Sequence, residues 1–429
     1  MLNTLSQELN NVLAGTTAGS LLSDLGTRIY FPKGIIAQSA EAKKLGKTAN
    51  ATIGTALQNG KPIILDSVHK FAPELSAAEL VSYAPTAGNP DLRAQWKEKI
   101  FQKNPGLAGK NVSLPVVVPG LTAGISFLSD LFVDEKHPLL AANPSWDNYA
   151  LIVETRRNSE LRQFNMFKDG GFDIDSFRKA LADEAKSSGS VRVILNFPQN
   201  PSGYSPTNKE AKEIIAAIKA EAEKGTKIIV WDDDAYFGLN YEEDIYPQSL
   251  FAELCDIHEN VLAVKIDGPT KEDFAWGFRN GFITFGGKGM TDEQYDALVK
   301  KLMGLIRSSV SCSTTPSQSI MLRALKEPTL NEEKLSYRKV LESRYKIVRK
   351  FVESHKSTKL TPLPFNSGYF MSFALNGIDA EELRQRLLNE KGIGTIAIDS
   401  KTLRVAFSSL DEDKIDVVYS AIYEMAEKF

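Results

Sequence analysis

Cysteine and histidine are scarce in this chain: two Cys and four His among 429 residues. Cys255 and Cys312 are too few and too far apart in sequence for a disulfide framework or a zinc site, and four His leave little for a metal cluster, so no metal is expected. Nowhere do 18 apolar residues run together, which excludes an obvious transmembrane helix. The stretch from Met1 to Gly15 is polar and amphipathic, without the basic start or apolar core of a secretory signal. An excess of one charge is missing too. With 51 basic against 54 acidic side chains the net charge is −3, which lacks the basic footprint of a nucleic-acid binder. The expectation is a cytoplasmic protein with small-molecule or protein partners, no nucleic acid and no membrane.

What is present is a large potential core: 42% of the residues are apolar and 24% charged. The length allows two to three domains on a prior of about 150 residues each. Between Val116 and Phe285, short apolar runs alternate with helical patterns. The runs are Val116 to Val118, Leu139 to Ala142, Val191 to Leu195, Lys227 to Trp231, Val261 to Val264 and Phe282 to Phe285. Continuous apolar strands separated by helices describe an α/β core with a parallel sheet covered on both faces. Ser76 with Glu79 and Thr207 with Glu210 read as capping boxes, and Gly225 as the glycine that ends the helix from Glu210 to Lys224. After about Ser313 the rhythm changes. A charged helix over Asn331 to Ser354 precedes a strand (Gly368 to Leu375), a helix (Ala380 to Lys391), a strand (Leu403 to Phe407) and a terminal helix (Asp411 to Lys428). This reads as a smaller α+β domain over 313–429, beside a large domain over 65–312, with the N-terminal segment 1–64 joining the smaller one.

Three segments place polar or reactive residues just after an apolar strand, where open α/β sheets bind ligands. The first is Asn196-Phe197-Pro198-Gln199-Asn200-Pro201-Ser202-Gly203, a turn forced by two Pro and a Gly that can offer the Asn200 amide; taken alone it is also an ordinary turn. The second is Trp231-Asp232-Asp233-Asp234-Ala235-Tyr236. Three consecutive carboxylates leaving a buried strand repel one another, so at least one is expected to have a cationic partner; a metal site and plain loop or capping carboxylates are the other readings. The third is Asp267-Gly268-Pro269-Thr270-Lys271 followed by Gly277-Phe278-Arg279-Asn280-Gly281, in which glycines let backbone approach a ligand beside Lys271 and Arg279.

Taken together, in this order and at these distances, the three segments resemble the class I and II, fold-type I aminotransferases that depend on pyridoxal 5'-phosphate, in the aspartate and aromatic branch. The matches run from about residue 50 to 409. The resemblance implies a large domain whose mixed, mostly parallel sheet is sandwiched by helices, plus a smaller α+β domain. It makes Lys271 the Schiff-base lysine and proton shuttle, and Asp233 the partner of the protonated pyridine nitrogen. Asn200 and Tyr236 would hydrogen-bond the phenolic oxygen. Thr270 and Arg279 would hold the phosphate, with backbone N–H groups of Leu121, Thr122 and Ala123 at a helix start. Trp146, in Asn143-Pro144-Ser145-Trp146, would stack on the ring and face the substrate. Arg404 would grip the substrate α-carboxylate, a task that suits a bidentate guanidinium, and Gly54 would bring backbone to the same substrate. Tyr83 would reach the phosphate of a neighbouring subunit, which implies a homodimer with shared sites.

The implied activity is transfer of an amino group from an L-amino acid, aspartate or aromatic in type, to a 2-oxo acid such as 2-oxoglutarate by a ping-pong exchange. A carbon–sulfur lyase or decarboxylase would keep Lys271, Asp233 and Arg279, and a non-catalytic regulator of the same fold is a third reading. Arg307, in Leu305-Ile306-Arg307-Ser308, stands where dicarboxylate-specific relatives carry an arginine that reads the side-chain carboxylate across the dimer; it equally suits a helix C-terminal arginine that complements the dipole. The chain departs from the family pattern at Phe197, which opens the N-P-x-N-P motif, at Gly268 and Pro269 where many relatives have a phosphate-binding Ser, and at Asp232 and Asp234, which add negative charge beside Asp233.

Overall fold

The computed structural model describes residues 2–13, 22, 27–28, 35–52 and 54–429. Seven strands build the main sheet: β1 (Val116–Val118), β2 (Leu139–Asn143), β3 (Leu161–Asn165), β4 (Ser190–Asn196), β5 (Lys227–Asp233), β6 (Val261–Asp267) and β7 (Gly281–Gly287). Their order is β1-β7-β6-β5-β4-β2-β3. Every apolar run expected from the sequence is a strand here. The sheet is mixed rather than wholly parallel, because β7 pairs antiparallel with both β6 and β1. Apolar content cannot report this, since a strand buried on both faces reads alike in either direction. β3 escapes the sequence reading because Leu161–Asn165 carries polar residues at an edge, where one row of backbone groups needs no partner strand.

Alternation along the strands feeds two cores. Ile229 and Trp231 of β5 join one apolar cluster with Val264 and Ile266. Ile228 and Val230 join a second with Val193, Leu195 and Ala263. Helices cover both faces: α1 (Pro90–Lys103), α2 (Leu121–Phe132), α3 (Ile174–Ser188), α4 (Asn208–Glu223), α5 (Asp292–Arg307) and α6 (Leu330–Ser354). Their ends follow the caps. Asn89 accepts from Asp91 N and Leu92 N at the start of α1, ahead of Pro90. Ser76 with Glu79 and Thr207 with Glu210 form the expected capping boxes, and Gly225 follows α4 with φ +97°. A third box, Thr291 with Gln294, opens α5.

A smaller antiparallel sheet of β8 (Leu360–Pro362), β9 (Met371–Leu375), β10 (Ile396–Ala397) and β11 (Thr402–Val405) runs in the order β8-β9-β11-β10. Two expected strands are shorter than the pattern suggests. β9 starts at Met371 rather than Gly368, whose φ of +72° turns the chain, and β11 ends at Val405 before a 3-10 turn over Phe407–Ser409. The helices Ala380–Lys391 and Glu412–Ala426 lie where the pattern puts them. Of the N-terminal segment, Ala49–Asn50 pairs in parallel with Ile393–Gly394; residues 1, 14–21, 23–26, 29–34 and 53 lie outside the described residues. Among the described residues, no helix is long and apolar enough to cross a membrane.

The turn after β4 is fixed by close backbone approach. Gly203 has φ +79°, its carbonyl accepts from Asn366 N and Ser367 N at 2.9 Å, and a Cβ there would lie 1.9 Å from Phe370 O. Gly189 has φ +71° with open space around it. In chemical denaturation, Gly189→Ala should cost about 1 kcal/mol of backbone strain. Gly203→Ala should cost more than about 2 kcal/mol, because the clash adds to the same strain.

Candidate active site

Three carboxylates leave the C-terminal end of β5, and the strand period sends them to different faces. Asp233 points to one side, where the Tyr149 hydroxyl donates to its Oδ2 and Ala235 N donates to Oδ1 at 3.3 Å. Its carbonyl accepts from Asn196 Nδ2 at 2.7 Å, and Asn196 is its register partner on β4. Burial pushes the Asp233 carboxyl up to about 6, against the opposing pull of the Tyr149 hydroxyl and the Lys271 amine.

Asp234 sits on the opposite side, paired with buried Lys265 and accepting from Ser249 Oγ at 2.6 Å. Lys265 also lies 3.6 Å from Asp267. The expected cationic partner is therefore Lys265, and the carboxylate it holds is Asp234. Asp232, also buried, has an Oδ2 without a hydrogen-bond partner among the described residues. Burial and the charge of Asp234 hold its carboxyl well above the usual range. These three carboxylates do not converge on a metal; among the described residues no group of three His, Cys, Asp or Glu could hold one.

Lys271 follows β6 on a short helix, Pro269–Glu272, and its Nζ lies 4.8 Å from the centre of the Tyr236 ring. Burial lowers its amine to about 8, with Asp233 raising it and Arg279 lowering it. Lys271, Asp233, Tyr236, Asn200, Trp146, Leu121 and Thr122 line one cavity of about 110 Å³, together with Ile125, Tyr149, Asn196 and Ala235. The Trp146 ring meets Tyr149 edge-on at 5.4 Å.

Two further walls come from distant sequence. Arg404, on β11 and 2% exposed, donates from Nη1 to Asn200 Oδ1 at 2.8 Å and from Nη2 to Thr52 O at 3.2 Å. Its guanidinium lies 4.2 Å from the Phe370 ring centre, and burial lowers it to about 10. Gly54 lies on the same side: a Cβ there would sit 3.9 Å from Tyr236 Oη. At the other end, Gly120 (φ +93°) caps α2, and a Cβ there would lie 2.3 Å from Arg279 Nη2. Arg279 is itself left-handed (φ 52°) and donates to Trp276 O at 3.0 Å. Thr270 Oγ1 is buried without a partner among the described residues, and Ala123 stands in the first turn of α2.

Thr270, Arg279, Ala123, Arg404 and Gly54 stand beside this cavity without lining it, and two further expected residues lie on the surface of the chain. Tyr83 is 92% exposed. Arg307 ends α5 on the surface, where its Nη1 donates to Ser311 Oγ at 3.1 Å. Conversely, three residues that touch the site's chemistry carry no role in the sequence reading: Tyr149, Asn196 and Lys265. Tyr149 stands three positions after Trp146, so helical spacing could have flagged it. Asn196 opens the loop already singled out. Lys265 interrupts an apolar strand, and a buried lysine demands an anion.

Residues 50–422 match the family described as Aminotransferase class I and II. The chain is 26% identical over 309 residues to a (5-formylfuran-3-yl)methyl phosphate transaminase of Methanocaldococcus jannaschii, covering 72% of this chain and 71% of that one. It is 20% identical over 416 residues to the cytoplasmic aspartate aminotransferase of Gallus gallus, covering 92% and 96%. The crystal structure of an aminotransferase from Anaerococcus prevotii superposes with a TM-score of 0.82 at 25% identity, covering 93% of this chain and 96% of that one. The chain belongs to the class I and II aminotransferases and is a pyridoxal phosphate-dependent transaminase.

Proposed function

We propose that this transaminase moves an amino group between an L-amino acid of the aspartate or aromatic type and a 2-oxo acid such as 2-oxoglutarate, with Lys271 as attachment lysine and proton carrier. One observation carries the reading: Lys271, Asp233, Tyr236 and Asn200 share one cavity, and Arg404 is a single hydrogen bond from Asn200.

The residues present suit pyridoxal phosphate. The unpartnered Thr270 Oγ1 is what a phosphate oxygen would satisfy. The missing Cβ of Gly120 leaves room for the Arg279 guanidinium, and the N–H groups of Leu121, Thr122 and Ala123 at the start of α2 form an anion site. When bound, the cofactor supplies an electron sink for the carbon that bears the amino group. Asp233 would hold a proton on the cofactor's ring nitrogen, and Tyr149 orients that carboxylate and favours its ionised form. Asn200 and Tyr236 would hydrogen-bond the cofactor's phenolic oxygen, and Trp146 would cover its ring. Lys271 can take up and return a proton at Nζ, because burial brings its amine close to neutral pH. Arg404 grips the substrate α-carboxylate, its buried Nε being unpartnered among the described residues, while Gly54 lines the substrate side.

The same proposal makes the working form a homodimer in the cytoplasm. Exposed Tyr83 adjoins Val81 and Leu80, which are 83% and 51% exposed. Such an apolar run suits an interface through which Tyr83 and Arg307 reach the neighbouring site. Two unpaired cysteines suit a reducing compartment.

Turnover of the purified protein with an amino-acid panel and 2-oxoglutarate, followed by cofactor absorbance and 2-oxo-acid product, tests the activity. Asp233→Asn should leave the fold intact and cut the rate by several orders of magnitude, because a neutral amide cannot hold the ring proton. Asp232→Asn should leave the rate near wild type. Asp234→Asn should lower stability by about 3–5 kcal/mol, by leaving Lys265 short of its anion. If Asp232→Asn abolished turnover instead, the face assignment would be wrong.

The substrate class is tested at Arg307. Arg307→Leu should lower kcat/KM for aspartate and glutamate far more than for phenylalanine and tyrosine, since a guanidinium that meets no carboxylate is left unpaired. An equal fall for all four, or none, would leave an aromatic or broad-range enzyme as the reading.

A further inference from the structure

Lys271 is flanked in sequence by two buried carboxylates, Asp267 and Asp273, which are 4% and 0% exposed. Neither lines the cofactor cavity. Both are held by one face of α1. Trp96, fully buried, stacks on Phe282 at 4.1 Å and donates from Nε1 to Asp267 Oδ1 at 3.0 Å. Lys99, one helical turn on, lies 4.0 Å from the Trp96 ring centre and donates from Nζ to Asp273 Oδ2 at 2.8 Å. Burial lowers the Lys99 amine to about 7, but an amine donates to Asp273 in either protonation state.

A second clamp comes from α6. Lys334 reaches Asp273 Oδ1 at 2.8 Å and Glu272 Oε1 at 2.9 Å, and Lys103 pairs with Glu272. Charges placed at this depth are costly unless they do something that apolar packing would not. What they share is the turn between them. The Asp273 N–H also closes that turn on Pro269 O at 3.0 Å, and Tyr369 Oη donates to Lys271 O at 3.3 Å.

We propose that Trp96, Lys99 and Asp273 are positioning residues for the Lys271 amine: with Asp267 they clamp both ends of the turn that carries it. The proposal rests on Lys271 being the attachment lysine. That amine must leave the cofactor and return to the same place in each turnover, so a turn that drifts costs rate rather than substrate affinity. Of the phosphate contacts only Thr270 rides on this turn, whereas Arg279 and the N–H groups of Leu121, Thr122 and Ala123 lie elsewhere, so loosening the clamp should leave most of cofactor binding in place.

The test compares Lys99→Met, Lys99→Arg, Trp96→Phe and Lys271→Ala in the full chain. Two readouts are used: how fast cofactor-free protein converts added pyridoxal phosphate into its lysine-bound absorbing form, and kcat and KM after loading. Lys99→Met should retain cofactor, yet capture it and turn over between about tenfold and a hundredfold more slowly, with KM little changed. Lys99→Arg should recover most of the loss. Trp96→Phe keeps the stacked ring but loses the bond to Asp267, and should fall in the same direction by less. Leu181→Ala, a core truncation in α3, should lower Tm without slowing capture, which separates positioning from general loosening. Wild-type capture and kcat in Lys99→Met would overturn the proposal. Should that variant fail to fold, unchanged capture in Trp96→Phe would overturn it equally. Lys271→Ala keeps the two readings apart: if it still forms the lysine-bound absorbing species, the assignment of Lys271 fails rather than the clamp.

Discussion

A carboxylate removed from water needs a partner or a proton, and this site is arranged around that constraint. β5 delivers three carboxylates in succession into the interior, and its two-residue period separates them. On the far face, Lys265 and Ser249 hold Asp234, while Asp232 is pushed toward its neutral form. On the near face, among the described residues, the Tyr149 hydroxyl, the Ala235 N–H and the field of Lys271 offset the burial of Asp233. A cationic ring nitrogen would supply the missing partner. The sheet thus keeps the Lys265–Asp234 ion pair and the cavity carboxylate of Asp233 within one residue of each other, on opposite faces.

The same division organises the rest of the pocket. Strand residues alternate between two apolar clusters, one on each face of the sheet. That packing is rigid enough to hold loops of low intrinsic order at the strand ends. Asn200 after β4, Tyr236 after β5 and Lys271 after β6 are brought together because parallel neighbours end at one edge. Arg404 arrives from the smaller sheet through its bonds to Asn200 and Thr52. A shift of the smaller sheet would therefore be felt at Arg404 and Asn200 together, the two side chains proposed to meet the substrate carboxylate and the phenolic oxygen.

Much of this is legible in the sequence because the chemistry is local to strand ends. The loop from Asn196 to Gly203, the Asp233 to Tyr236 run and the Thr270 to Arg279 stretch each follow an apolar run that marks a strand by itself. Pairing direction is not local, so β7 reads like its parallel neighbours although it runs against them. Side-chain partnership across distant elements is hidden for the same reason. Nothing near Asp234 in sequence points to Lys265, and nothing near Lys271 points to Trp96 and Lys99. For Lys265 and Lys99 the signal is a charge in a buried setting; Trp96 carries none. Tyr83 and Arg307 stay on the surface of the single chain, and the roles proposed for them require a second copy.

Burial and Asp233 together set the Lys271 amine. Folded, the amine titrates near 8 rather than at the usual lysine value; burial lowers it and the Asp233 anion partly restores it. Titration of that amine in cofactor-free protein, by pH-dependent labelling or NMR, tests this directly. The midpoint should lie near 8 and fall further in Asp233→Asn, because removing the anion leaves burial and Arg279 unopposed. A midpoint near that of an exposed lysine, or one that does not move in Asp233→Asn, would contradict it.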